Sequence, residues 1–211
     1  MNAQADVMRI GIDFDNTLIG YDEVFLAAAG ERQLLAQGFS GNKQAVRDAI
    51  RLLPDGEMTW QRLQGHVYGK GIGGAVIFEG ANAFLSQARA AGHTLFIVSH
   101  KTEYGHHDPD RVNLRAAARA WMEAQGFFDE PISIARGNVF FETTRADKLA
   151  RITTLGCTHF IDDLEEVLGD PNFPADVQRI LFSTSVESSS LPFIVCPNWQ
   201  RITDVLLNDR A

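Results

Sequence analysis

The chain has 211 residues, room for one substantial core and a small inserted subdomain. Hydrophobic residues make up 45% and charged residues 22%, a balance that excludes a disordered chain. The net charge of −8 excludes a general nucleic-acid binder, because displacing phosphate counterions needs a basic surface.

No run reaches the ~18 apolar residues of a membrane span, and residues 1–6 hold no apolar run suited to a signal peptide. The expectation is a cytoplasmic protein with no membrane and no nucleic-acid partner. Cys157 and Cys196 are too few for a disulfide framework and lack metal-ligand spacing, so they read as buried thiols of a reducing compartment.

In chain order, residues 7–12 form an apolar run without the alternation of a half-exposed sheet. They predict a buried parallel strand that ends in Asp13 and Asp15. Residues 21–77 carry helical patterns at 23–37, 43–53 and 59–68 and no strand. One helix suffices to cross between parallel strands, so the surplus predicts a separate helical lid. Its basic residues Arg47, Arg51, Arg62 and Lys70 read as a solvated helix face. Residues 69–74, Gly-Lys-Gly-Ile-Gly-Gly, formally fit a dinucleotide fingerprint. No strand leads into them and no acidic residue follows at the required distance, so they read as a loop or hinge at the lid's return.

A helix at 81–91 stops at Gly92 and leads to a second strand, 94–98, that ends at Ser99. The loop that follows holds His100, His106 and His107. Without a Cys or a helical ligand spacing it reads as an exposed or substrate-facing loop rather than a zinc site. His100, beside Ser99, is the best placed of the three for substrate contact. The pattern continues with a helix at 112–125, a strand at 132–135, a helix at 145–155 and a strand at 158–161 that runs into Asp162 and Asp163. Strands at 179–182 and 193–195, a short loop at Ser188, Ser189 and Ser190, and a helix at 199–207 complete the chain. Alternation of this kind predicts an α/β fold, a doubly wound parallel sheet of Rossmann-like form. Residues 1–20 and 78–211 make the core, and 21–77 a small inserted α-helical cap.

The polar residues fall in one kind of place. Ligands of open parallel sheets bind beyond the carboxyl ends of the strands, and Asp13 with Asp15, Ser99, and Asp162 with Asp163 each follow a separate predicted strand. Lys148 begins the helix that leads into the fourth. Several carboxylates cannot sit together ionised without a cation. Oxygen ligands with no adjacent His or Cys suit Mg²⁺, which shares substrate phosphate oxygens. Asp13 is then placed to attack a phosphorus atom, and Asp15 to protonate the leaving alcohol and deprotonate the hydrolytic water. Lys148 is preferred to Lys101 as the cation of this site.

IGIDFDNTLIG resembles the first motif of the haloacid dehalogenase-like superfamily of phosphohydrolases, Asp-x-Asp-x-Thr after a hydrophobic strand. FEGANAFLSQARAAGHTLFIVSH is similar to its second-motif region, DKLARI to the third and HFIDDLEEVL to the fourth. The resemblance covers residues 7–20 and roughly 78–207. It implies Asp13 as nucleophile, Asp15 as general acid/base and Lys148 as the charge-neutralising catalytic residue. It implies Thr17 supporting the motif loop and Ser99 binding the phosphoryl group. For Mg²⁺ it implies Asp13, the backbone carbonyl of Asp15, and Asp162, Asp163 or both. An Asp at position 15 favours phosphate transfer over dehalogenation. The expected activity is Mg²⁺-dependent hydrolysis of a small phosphorylated metabolite through an aspartyl-phosphate. A phosphotransferase or phosphomutase with the same intermediate, and a non-catalytic phospho-ligand-binding relative, are the alternatives. The resemblance leaves the oligomeric state open.

Overall fold

The computed structural model describes residues 7–183 and 192–208. The expected absence of a leader at residues 1–6 and the loop expected at Ser188–Ser190 lie outside the described residues. Among the described residues, no helix is long and apolar enough to cross a membrane. The chain divides into two compact units, one of Met1–Leu18, Ile77–His100 and Gly126–Ala211, the other of Ile19–Val76 and Lys101–Gln125.

The first unit is built on strands β1 (Arg9–Ile12), β4 (Thr94–His100), β5 (Val139–Glu142), β6 (His159–Asp162), β7 (Gln178–Phe182) and β8 (Ile194–Cys196). They form one sheet in the order β5-β4-β1-β6-β7-β8, and every pair is parallel. Strands β2 (Ile19–Gly20) and β3 (Val76–Ile77) make a separate two-stranded sheet. The winding reverses at β1, with β4 on one side and β6 on the other. That reversal opens the crevice in which doubly wound sheets place their chemistry.

Apolar runs become central strands because both faces of the sheet are covered. On one face Phe96, Val98, Phe160 and Leu181 pack with Leu149 and Ile152 of helix α6 (Arg145–Thr154) and with Val167 and Leu168 of α7 (Glu165–Leu168). Helices α4 (Ala81–Ala90) and α8 (Trp199–Thr203) pack together, and Phe84 meets Trp199 with ring centroids 5.2 Å apart. Gly11 is required by close approach. A Cβ there would come within 2.5 Å of the Phe160 ring.

The sequence placed a strand at 132–135, and the structure puts the third one at β5 instead. Ile132 and Ile134 are buried, which explains the apolar signal, but Ser133 has a left-handed φ of 46° and the segment is a turn. Its amides bond back to the carbonyls of Asp129 and Phe127 rather than into a ladder. β5 alternates buried and half-buried residues because it is an edge strand.

The second unit contains α1 (Asp22–Glu31), α2 (Lys43–Arg51), α3 (Gly56–Tyr68), a 3₁₀ turn at Lys70–Gly74 and α5 (Leu114–Ala124). The Gly-rich segment at 69–74 is thus a short helical turn with no strand before it. Helix α1 ends well short of the predicted residue 37; Arg32 closes it by donating to the Ala28 carbonyl, and Gln33 turns the chain with φ 55°. An aromatic cluster fills the interior. Phe25 stacks on Trp60 at 4.9 Å, and Tyr21 meets Tyr68 edge-on at 4.9 Å.

Residues 101–125, assigned to the core from sequence, group with these helices. The buried face of α5 (Leu114, Ala118, Trp121, Met122) belongs to an element that packs on α3 and the 3₁₀ turn. Gly105 lies so near Gly65 of α3 that a Cβ on it would sit 2.5 Å from the Gly65 Cα. Asp108 closes the loop before α5 by accepting from the amides of Asp110 and Val112.

Candidate active site

The register of the central strands sets the site. Ile12 of β1 pairs with Ile161 of β6, and the Asp13 amide continues the ladder by donating to the Ile161 carbonyl at 2.9 Å. Asp13 and Asp162 therefore leave neighbouring strand ends at the same level. Lys148 comes from the first turn of α6, whose N-cap Thr144 accepts from the Asp147 amide. Its Nζ donates to Asp13 Oδ1 at 2.7 Å and to Asp162 Oδ2 at 2.6 Å. All three groups are buried, Lys148 to 1% exposure and Asp162 to 0%.

Two further bonds hold the acids in place. The Leu164 amide donates to Asp162 Oδ1 at 3.0 Å, and the Thr17 hydroxyl donates to Asp163 Oδ1 at 3.1 Å. Thr17 is fully buried, and its carbonyl accepts from the Trp199 indole N–H at 3.0 Å. Helix α8 thereby pins the loop after β1, a positioning role for Trp199 that nothing in the sequence pattern signalled. Within that loop Asn16 adopts a left-handed φ of 62°, and the Leu18 amide bonds to the Phe14 carbonyl.

Asp13, Asp162 and Asp163 each offer a carboxylate oxygen within 4.8 Å of the others, a grouping that could hold a metal ion. The donor set fits a hard divalent cation: all oxygen, no thiolate or imidazole. Three ionised carboxylates against one ammonium also leave two negative charges to be balanced. Burial pushes the Asp13 carboxyl up to about 7; Lys148 opposes the rise, and Asp162 and Asp15 add to it. Lys148 is held firmly protonated: burial works against its charge, and the flanking Asp13 and Asp162 overcome that.

The remaining predicted residues take separate places. Asp15 is half-buried and close enough to raise Asp13, but its carboxylate is not one of the three grouped oxygens. Ser99 lies buried near the end of β4, just past the Ile12–Ile97 pair of the β1/β4 ladder. His100, expected at the phosphate, is exposed, and its Nε2 donates to the Thr143 carbonyl at 2.8 Å. That ring is a tie between the ends of β4 and β5. Lys101 belongs to the helical unit, where its Nζ stands 4.8 Å from the centre of the Tyr68 ring. Cys157 and Cys196 are buried free thiols, as expected, and desolvation pushes both up to about 11.

The six-stranded parallel sheet and its flanking helices have many solved counterparts. The chain matches a haloacid dehalogenase-like family hydrolase from Streptococcus pneumoniae with a TM-score of 0.60 at 14% identity, covering 94% of this chain and 98% of that one. A HAD hydrolase of family IA from Entamoeba histolytica aligns at 0.59 and 11% identity, covering 96% and 98%. The fold is haloacid dehalogenase-like. A HAD family hydrolase from Deinococcus radiodurans, solved with bound phosphate and sodium, aligns at 0.55 and 14% identity over 96% of each chain. No protein-family model matches the sequence, and no curated protein matches it. At these identities the haloacid dehalogenase-like likeness is one of backbone, and residue roles rest on the geometry above.

Proposed function

We propose that the chain is a Mg²⁺-dependent phosphomonoester hydrolase that works through an aspartyl-phosphate on Asp13. The observation that carries this reading is the buried bridge of Lys148 to both Asp13 and Asp162, beside Asp163, at adjacent strand ends. The phosphate found in the Deinococcus radiodurans counterpart supports it. Asp13, Asp162 and Asp163 would hold the cation, with the Asp15 carbonyl as the resemblance implies. Bound there, Mg²⁺ supplies fixed positive charge for the carboxylates and the phosphoryl oxygens.

The protein's own groups do the rest. A carboxylate oxygen of Asp13 bonds to phosphorus while the ester P–O bond breaks, and Asp15 gives its proton to the departing alkoxide. Asp15 then takes a proton from water, whose oxygen attacks phosphorus and restores the Asp13 carboxylate. Lys148 holds positive charge at the nucleophile throughout, fixed before reaction by its second bond to Asp162. Ser99 contributes a hydroxyl to the phosphoryl oxygens, and Thr17 keeps Asp163 aimed. The helical unit is the cap that selects substrate.

The test compares wild type with Asp13→Asn on p-nitrophenyl phosphate, with Mg²⁺ and with a chelator. Wild-type turnover should need the cation, and Asp13→Asn should lose about a thousandfold or more. Equal turnover by both proteins would remove Asp13 as nucleophile. No wild-type turnover across a panel of phosphomonoesters would leave a phospho-ligand-binding protein.

A further inference from the structure

The carboxylates grouped at the strand ends are held in two ways. Lys148 bonds to both Asp13 and Asp162. Asp163 is half-buried, and its Oδ1 accepts from the Thr17 hydroxyl at 3.1 Å. Mg²⁺ tolerates little departure from octahedral geometry, so each oxygen offered to it must be fixed in place. The direction of the Thr17 hydroxyl therefore bears on how well this cluster holds a cation.

Thr17 is β-branched, so its hydroxyl follows its backbone. Asn16, just before it, sits at φ 62°, a left-handed conformation that a residue other than glycine keeps where its surroundings impose it. Distant parts of the sheet unit impose it here. The Thr17 carbonyl accepts from the Trp199 indole N–H at 3.0 Å, and the Leu18 carbonyl accepts from the Phe78 amide at 3.0 Å. The indole is itself fixed. Trp199 is fully buried, with its ring centroid 5.2 Å from that of Phe84 and 5.9 Å from that of Phe182. Its helix is capped by the Asn198 side chain, which accepts from the Arg201 amide at 2.8 Å. Packing fixes where the ring lies, and its N–H fixes where Thr17 lies.

We propose that Trp199 is a positioning residue for the cation site: its N–H, acting through Thr17, keeps Asp163 aimed and so sets the affinity for Mg²⁺. This rests on the Mg²⁺ part of the phosphohydrolase reading and on no step of the reaction.

The test reads cation binding without turnover. The urea midpoint of the full chain, followed as Mg²⁺ is raised from chelator, returns a Kd. Thr17→Val keeps the side chain's shape, removes its hydroxyl, and should weaken Mg²⁺ binding about tenfold or more. Trp199→Phe keeps a ring against Phe84 and Phe182, removes the N–H, and should weaken binding by about threefold to tenfold. The double variant should bind no more weakly than Thr17→Val alone, because the N–H acts through that hydroxyl. Phe84→Leu loosens the packing around the indole. It should lower the midpoint in chelator and leave the Kd at its wild-type value, as Trp199→Phe would if Trp199 served packing only. Should Trp199→Phe fail to fold, benzothienylalanine at position 199, with sulfur where the N–H stands, takes its place. An unchanged Kd in Trp199→Phe, or losses that multiply in the double variant, would overturn the proposal. So would a loss of Mg²⁺ affinity in Phe84→Leu as large as that in Trp199→Phe. A wild-type midpoint that Mg²⁺ does not move would overturn the Mg²⁺ reading as well, whereas a wild-type response that Trp199→Phe keeps would overturn this proposal alone.

Discussion

Two buried lysines divide the molecule's charge chemistry between its units. Lys148, in the sheet unit, is clasped by two carboxylates at 2.7 and 2.6 Å. Lys101, in the helical unit, faces an aromatic ring at 4.8 Å. A carboxylate pair balances a lysine's charge with acids already present, whereas a ring draws the ammonium through its quadrupole. The first arrangement holds Asp13 and Asp162 in place and partly neutralises them. Their environments follow from their elements: Lys148 lies where strand ends gather acids, and Lys101 lies in a loop that packs on an aromatic helix.

The largest effect should come from separating these roles. Lys148→Met leaves Asp13 and Asp162 buried without their shared cation, and breaking a buried ion pair by removing one partner costs about 3–5 kcal/mol. Urea unfolding in chelator should show that loss for Lys148→Met and a much smaller one for Lys70→Met, an exposed lysine of the helical unit paired with Asp110. Adding Asp13→Asn to Lys148→Met should recover part of the loss, because it removes one of the stranded acids. Equal costs for the two lysine variants would break the comparison.

A second effect, in the sheet unit alone, is read by pH. Burial raises the Asp13 carboxyl from 3.8 to about 7. Between those values the folded chain binds more protons at this site than the unfolded chain, so stability should fall as pH rises through that window and level off above it. One proton limits the slope to about 1.4 kcal/mol per pH unit. Urea midpoints measured in chelator from pH 4 to 8 should show the decline, and Asp13→Asn should flatten it. Mg²⁺ should restore stability at the alkaline end, where the carboxylate is ionised and can take the cation. A decline that survives Asp13→Asn would place its origin elsewhere.

Sequence reading reached the gathering of Asp13, Lys148, Asp162 and Asp163 in the sheet unit and stopped short of the helical unit's packing. Asp13, Asp162 and Asp163 were legible because a period-free apolar run forecasts a buried strand and the residue after it forecasts a strand end. Lys148 was legible from its place in the helix that leads into β6. The third strand was misplaced because Ile132 and Ile134 are apolar for a turn's sake, and β5, being an edge, has the weaker pattern. Residues 101–125 group with the helical unit in the structure, and a helix's periodicity shows that it buries a face and not against what. The Gly65–Gly105 approach that decides it joins positions forty residues apart with no motif to link them. Lys43 passed unnoticed for the same reason: its neighbours Phe25 and Tyr68 are near only after folding.

The smallest expected effect concerns the basic residues that the sequence did single out in the helical unit. Arg51 donates through Nε to Glu57 Oε2 at 2.6 Å, and that bond, then the one from Gln61, holds the Glu57 carboxyl below its ordinary range. Both partners stand in water, their side chains 43% and 55% exposed, so solvent and salt screen the pair. Arg51→Ala should leave the urea midpoint at about 0.15 M salt unchanged within error. A clear drop in that midpoint would mean that this pair holds the helical unit together despite its exposure.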